Sequence, residues 1–474
     1  MTTGVNFWDT NVWSFIITLT LLLGAMMIAN LLRRVIKPLR KSLIPSAVLG
    51  GFLILMANYI YKEITGDSMF SAVTLETLTY HGLGLGFAAV ALKTSEGKSS
   101  KGTKTDILNY GLTTVSGYVL QGLFGLVIMV VLGFFMEGLF PAAGLLLPMG
   151  YGQGPGQAFN WGHTYETLWG FENGTSFGLT IAATGFISAS IGGIIYLWRL
   201  KRKGVAKSNF DDSETFVEEP AEQVTSAKNE IPLSESIDKL TVQIALVFIA
   251  YAMTYIFMWG VNQIIEAGYM GSFGVNTVQP LLWGFNFLFA TVFAVLVKTI
   301  LQTLKKKGII KREYTSNFMQ NRISGFAFDI MVVASIAAID LSAFKYKEFV
   351  IPVIALSVAG LVITYIQCDF ICKRLFPTYR HESFLVMYGM LTGTASTGII
   401  LLREIDPQFQ TPAATNLVYQ QLWAIVFGFP VLLVLSFAPQ STNNLYITIA
   451  LLTVLMVVYS VILFRKQIFK KETK

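Results

Sequence analysis

Tyr151-Gly152-Gln153-Gly154-Pro155-Gly156-Gln157-Ala158 and Tyr388-Gly389-Met390-Leu391-Thr392-Gly393-Thr394-Ala395 agree at four of eight positions without a gap. Each octet sits in an apolar segment, 140–162 and 383–402, that Gly or Pro interrupts. Neither segment reads as a simple membrane span. Each divides into two arms of about ten residues, or about 15 Å as helix at 1.5 Å per residue. That is half of a hydrocarbon core of about 30 Å. The pattern predicts two re-entrant loops whose tips lie near mid-membrane. Lipid cannot satisfy open backbone there, so the tips must be enclosed by protein or line a polar cavity. Gly152, Gly154 and Gly156 permit close approach, and Pro155 stops a helix.

Composition places these loops in a membrane. Of 474 residues, 53% are hydrophobic and 13% are charged. A soluble chain carries about 25% charge. These proportions exclude a soluble enzyme, a disordered chain and a nucleic-acid binder. Cys368 and Cys372 are the two cysteines, too few for a disulfide framework, and they read as packing residues. Eleven apolar runs are long enough to cross: 11–32, 45–61, 76–92, 112–136, 174–198, 241–260, 277–300, 322–341, 349–371, 412–437 and 443–464. They are continuous rather than alternating, which favours helices over barrel strands.

The basic residues set the orientation. With the two broken segments taken as non-crossing, 32 of 35 Lys and Arg fall on one side. The other side holds Lys62, Lys345 and Lys347. The excess marks the cytoplasmic face. The expected protein is a multi-pass inner-membrane protein with its N-terminus outside and its C-terminus in the cytoplasm. The first run ends at Arg33 and Arg34 and reads as an uncleaved anchor.

Residues 199–240 are polar and mixed in charge, and read as a cytoplasmic linker. They separate two similar halves. Residues 1–198 hold five spans and the loop 140–162; residues 241–438 hold five spans and the loop 381–403. Residues 439–474 add one span and a tail. Phe87-Ala88-Ala89-Val90-Ala91-Leu92 also resembles Ile336-Ala337-Ala338-Ile339-Asp340-Leu341 at the matching place. An odd number of spans per half inverts the second half relative to the first. The expected fold is therefore all-α and polytopic, with two inverted five-helix repeats, each carrying a re-entrant loop. Inverted repeats with broken helices are the architecture of secondary transporters.

The loop tips supply the candidate binding groups: Gln153, Gly154, Pro155, Gly156, Gln157 and Asn160 in the first, Thr392, Gly393, Thr394, Ser396 and Thr397 in the second. Helix N-termini at such tips favour an anion, and unwound carbonyls favour a cation. Asp329, in Gly325-Phe326-Ala327-Phe328-Asp329-Ile330, lies inside a span, where an unpaired charge is costly. It is a candidate sodium ligand or a protonatable coupling group. Asp340, Asp369, Arg403, His81 and His163 read as ordinary polar or interfacial residues.

At these residues the chain resembles the glutamate:sodium symporter family. Ile44-Pro45-Ser46-Ala47-Val48-Leu49-Gly50-Gly51 is similar to the family's second-span signature, and 150–160 and 388–398 stand where it has its Gly-rich loops. The resemblance covers about 11–437. It implies sodium-coupled symport of glutamate or a related acidic amino acid, sodium as coupling ion, no other cofactor and a homodimer. The first loop departs from the Ser-Gly-Gly-His-Gly type of better-known members. A different carboxylate as substrate and a channel-like pore stay open as alternatives. An enzyme is not expected: there is no Gly-x-Ser-x-Gly, no His-Glu-x-x-His and no P-loop.

Overall fold

The computed structural model describes residues 6–94, 103–204 and 238–468. Most of the expected linker, with Lys98, Lys101 and the last six residues, lies outside them. Every regular element among the described residues is helical. In chain order they are α1 (Thr10–Val35), α2 (Ser46–Thr65), α3 (Ala72–Leu92), α4 (Lys104–Gly133), α5 (Leu146–Tyr151), α6 (Pro155–Trp169), α7 (Gly174–Arg202), α8 (Lys239–Glu266), α9 (Gln279–Gly284), α10 (Asn286–Lys306), α11 (Asn317–Ala337), α12 (Lys347–Leu375), α13 (Arg380–Thr392), α14 (Ala395–Arg403), α15 (Ala413–Tyr419), α16 (Gln421–Phe437) and α17 (Thr442–Leu463), with a few shorter turns between them.

Local chemistry sets many of the ends. Asp9, Thr103, Asp238 and Ser441 cap α1, α4, α8 and α17 through side-chain oxygens that accept first-turn amides. Gly66 and Gly170 close α2 and α6 in the left-handed region. Nine helical stretches among the described residues are long and apolar enough to cross a membrane: α1, α2, α4, α7, α8, α10, α12, Trp423–Gln440 and α17. Ile351, Ile354, Val358, Val362 and Ile366 form an exposed stripe along α12 at helical spacing. That pattern suits contact with lipid.

The other two expected spans, α3 and α11, are 21 residues each but more polar. They pack against each other along one face. Gly82 and Gly86 bring α3 against α11: a Cβ at Gly86 would stand 2.5 Å from Phe328 Cε1, and one at Gly82 would stand 3.0 Å from Ala327 O. Gly84, on another face of α3, leaves room for the Tyr251 ring of α8. Helices α1, α2, α3, α8, α10 and α11 pack chiefly on one another as one body, and α4 to α7 with α12 to α17 as the other; α9 lies between, touching α6, α8 and α16, and one apolar core joins the two.

One sequence expectation is corrected. The run 277–300 reads as one continuous span, but the chain breaks at Gly284–Phe285 and the long helix α10 covers 286–306. Phe285 has φ −112° and ψ 35°, outside the helical range. The Gly284 carbonyl leaves the helix ladder and accepts from Asn160 Nδ2 at 2.9 Å and Gln157 Nε2 at 3.2 Å. Tertiary hydrogen bonds replace the lost helical one, which hydropathy cannot report.

Gly125 of α4 and Gly144 pack backbone on backbone, and a Cβ on either would collide with the other's main chain. Neither side can yield by turning a rotamer. Gly125→Ala is expected to destabilise the fold by at least about 1–3 kcal/mol, read as an earlier unfolding midpoint in a denaturing-detergent titration. An unchanged midpoint would refute the close crossing.

Candidate functional site

The first break follows α5. Gly152 caps that helix, and Gly154 turns the chain at φ 86° and ψ −176°, a conformation open essentially to glycine. Pro155 then starts α6 at the position where a missing N–H costs nothing. The second break follows α13. Gly393 has φ −151° and ψ −99°, and Thr394 caps α14 by accepting from Thr397 N at 3.4 Å. The two breaks meet. A Cβ at Gly154 would stand 3.4 Å from Gly393 O and 3.4 Å from Thr394 Cγ2.

Long helices of the same body hold both hairpins. Tyr151 and Tyr388, the matched tyrosines of the two octets, both reach Ser188 of α7. Tyr151 Oη lies 2.9 Å from Ser188 Oγ, and Tyr388 Oη donates to Ser188 O at 2.9 Å. Gly185 of α7 lets Thr392 O approach; a Cβ there would stand 2.6 Å from it. From α4, Gln121 Nε2 donates to Leu391 O at 2.8 Å and to Thr364 Oγ1 at 2.9 Å. Backbone opened by the second break thus finds partners in protein, as an apolar surrounding requires.

Across the seam, the first tip touches the other body. A Cβ at Gly156 would stand 2.8 Å from Leu83 Cδ1 of α3 and from Met331 Sδ of α11. Gln157 and Asn160, one turn along α6, reach the Gly284 carbonyl. Gly154, Pro155, Gly156, Gln157, Asn160, Thr392, Gly393 and Thr397 are buried, Gln153 and Thr394 half-buried, and Ser396 exposed. The residues 150–161 and 387–402 contain no charged side chain. Polarity at the meeting point comes from hydroxyls, amides and the first turns of α6 and α14, whose leading N–H groups have no partner within the helix. Together these N-termini favour a negative group.

Asp329 stands apart from this arrangement. It lies on the exposed face of α11 with Gly325 and Phe326, while Phe328 and Met331 make that helix's contacts with α3 and the first tip. Sequence reading missed Ser188, Met331 and Gly284. Ser188 belongs to a run of small residues in α7, Met331 resembles any apolar helix residue, and Gly284 follows Pro280 by four positions. Only the last carries a local signal. The octet alignment also sets the register three residues off: the helix-starting positions are Gly154 and Thr394, whereas the alignment pairs Gly154 with Leu391.

Among the described residues no three His, Cys, Asp or Glu side chains gather as a metal site. An apolar multi-helix body with two broken hairpins meeting at a neutral, hydrogen-bonding point is the form of a multi-pass membrane transporter. A family model described as sodium/glutamate symporter matches residues 11–375. The chain belongs to that family. The match includes the first break and ends before the second. No curated protein matches the chain.

Gly154→Ala forces an L-residue to positive φ at the contact, and Gly393→Val crowds Thr397 Oγ1 and Phe186, which lie 3.0 and 3.1 Å from where its Cβ would stand. Each is expected to reduce transport in membrane vesicles to background at normal expression and detergent-extracted yield. Near-normal transport by either variant would remove the tip contact from the site.

Proposed function

We propose that this protein is a sodium-coupled symporter of a small organic anion, with glutamate or a related acidic amino acid as substrate. The observation that carries the reading is the contact between Gly154 and Gly393–Thr394, where two helices begin at one uncharged point. A carboxylate would accept from first-turn amides of α6 and α14 and from the hydroxyls of Thr394, Ser396 and Thr397. Thr392, with its hydroxyl turned back onto Tyr388 O at 2.6 Å, shapes the tip rather than facing substrate. Neutral oxygens, not a carboxylate, take the coupling ion. Asp329 is left out of the site because α11 presents a different face to the tip.

The proposed mechanism follows from the two bodies. Residues 1–198 and 241–438 act as inverted halves, so one hairpin enters from outside and the other from the cytoplasm. The N-terminus is outside, and the basic helix ends face the cytoplasm. The body carrying the tips moves against α3 and α11, exposing the meeting point to one side and then the other. Two copies assemble as a homodimer, as the family resemblance implies. The seam supports movement of this kind: across it the first tip meets Leu83 and Met331 through flexible side-chain ends.

Uptake by purified protein in proteoliposomes tests the reading. An inward sodium gradient is expected to drive saturable accumulation of labelled glutamate, with little uptake when choline replaces sodium. Flux that neither saturates nor depends on sodium would favour a pore. Sodium-driven uptake of another dicarboxylate, with none of glutamate, would keep the mechanism and replace the substrate.

A further inference from the structure

Three amide side chains and one indole N–H lie around the break at Gly284. Gln157, Asn160 and Trp161 share one face of α6 at i, i+3 and i+4 spacing. Gln157 Nε2 and Asn160 Nδ2 both donate to Gly284 O, so their side-chain oxygens point elsewhere. Asn286, two residues past that carbonyl, donates through Nδ2 to Tyr80 O at 3.3 Å and to Tyr251 Oη at 3.2 Å. Exchanging nitrogen and oxygen in any of these amides would set its oxygen against a carbonyl, so the network fixes their orientation. Gln157, Asn160 and Asn286 are 1%, 4% and 1% exposed.

Among the described residues, no protein group bonds Gln157 Oε1, Asn160 Oδ1 or Asn286 Oδ1. Trp161 Nε1 is likewise unpartnered, and a Cβ at Gly284 would stand 3.7 Å from it. Buried acceptors without partners are unfavourable. Three at one helix break, on residues whose nitrogens are all committed, point to a ligand that takes oxygen.

We propose that Gln157, Asn160 and Asn286 form a binding site for a monovalent metal cation, one helical turn along α6 from the tip contact. The inference rests on the sodium-coupled reading and deepens it by giving the coupling ion a place. Hard cations favour carbonyl-type oxygen. Three neutral oxygens with no carboxylate among them suit a single positive charge better than a double one. The Trp161 N–H, a donor, suits the oxygen of a water in the ion's remaining shell. The site also spans the seam: α6 belongs to the body with the tips, and Asn286 begins α10 of the other. Ion binding would thus hold the two bodies in one arrangement.

The test uses purified full-length protein in detergent without substrate. Thermal melting is followed as sodium chloride replaces choline chloride at constant ionic strength. Wild type is expected to gain stability saturably with sodium. Asn160→Leu and Asn286→Leu keep the volume and remove the oxygen; each is expected to raise the half-saturating sodium concentration at least tenfold. Asp329→Asn is expected to leave it within twofold. If a leucine variant melts early in choline or aggregates, Asn160→Ser or Asn286→Ser replaces it, with the same expected loss. Unchanged sodium midpoints in both asparagine variants would overturn the site. So would wild type that sodium does not stabilise, leaving a buried water as occupant, or a shift confined to Asp329→Asn. The two readings fail separately. Sodium-driven uptake with unchanged midpoints refutes this site alone; absent uptake with the expected midpoint shifts refutes the transport reading alone.

Discussion

Backbone groups opened at a helix break inside an apolar body must find partners in the protein, and the arrangement of the long helices follows from that requirement. Two hairpins break at Gly152–Gly154 and at Gly393–Thr394. α4 supplies Gln121 to the end of α13, and α7 supplies Ser188 to a tyrosine from each hairpin. These polar side chains lie on helices otherwise apolar enough to span a membrane. Their cost in lipid is offset because each faces a hydrogen-bonding partner instead.

The contacts within and between the bodies differ in kind. Inside the body with the tips, main chain meets main chain. Gly125 packs on Gly144, Gly162 on Gly174, and Gly178 on the Ala158 carbonyl. Such contacts cannot loosen without moving a whole helix, because packed interiors resist small deformations. At the seam, α6 meets α3 and α11 through the ends of Leu83 and Met331 and meets α9 through two amide side chains. Side chains of this sort can exchange rotamers and partners at small cost. A stiff body bearing both tips against a softer seam is the mechanical form that the proposed alternating exposure needs.

Much of this was legible in the sequence. Charge depletion and continuous apolar runs indicate the membrane class, and the eleven expected spans fall on nine strongly apolar helices plus α3 and α11, with the runs 277–300 and 412–437 each broken toward their first residues. The broken octets located both hairpins because Gly and Pro interrupt apolar runs there. The break at Gly284–Phe285 is marked locally only by Pro280 and Gly284, in flanks as apolar as any span, and its partners lie more than a hundred residues away. Asp329 drew notice as a charge within a span, but hydropathy gives depth and not direction. Which face of α11 meets the tip is decided by Gly82, Gly86 and Gly156, whose missing side chains admit Phe328 and Met331. Ser188 and Met331 carry no signal without the fold.

The two tips meet, and the proposed substrate site is where they do. Paired cysteines at Gln153 and Thr394, both half-buried beside the contact, test it most directly once Cys368 and Cys372 are replaced. Treatment with a short bifunctional thiol reagent should link the pair within one chain in native membranes. Glutamate with sodium, at saturating concentrations, should slow that reaction several-fold, while either alone should have a smaller effect. An absent cross-link would contradict the meeting of the tips, and a cross-link formed at the same rate with glutamate and sodium present would contradict binding between them.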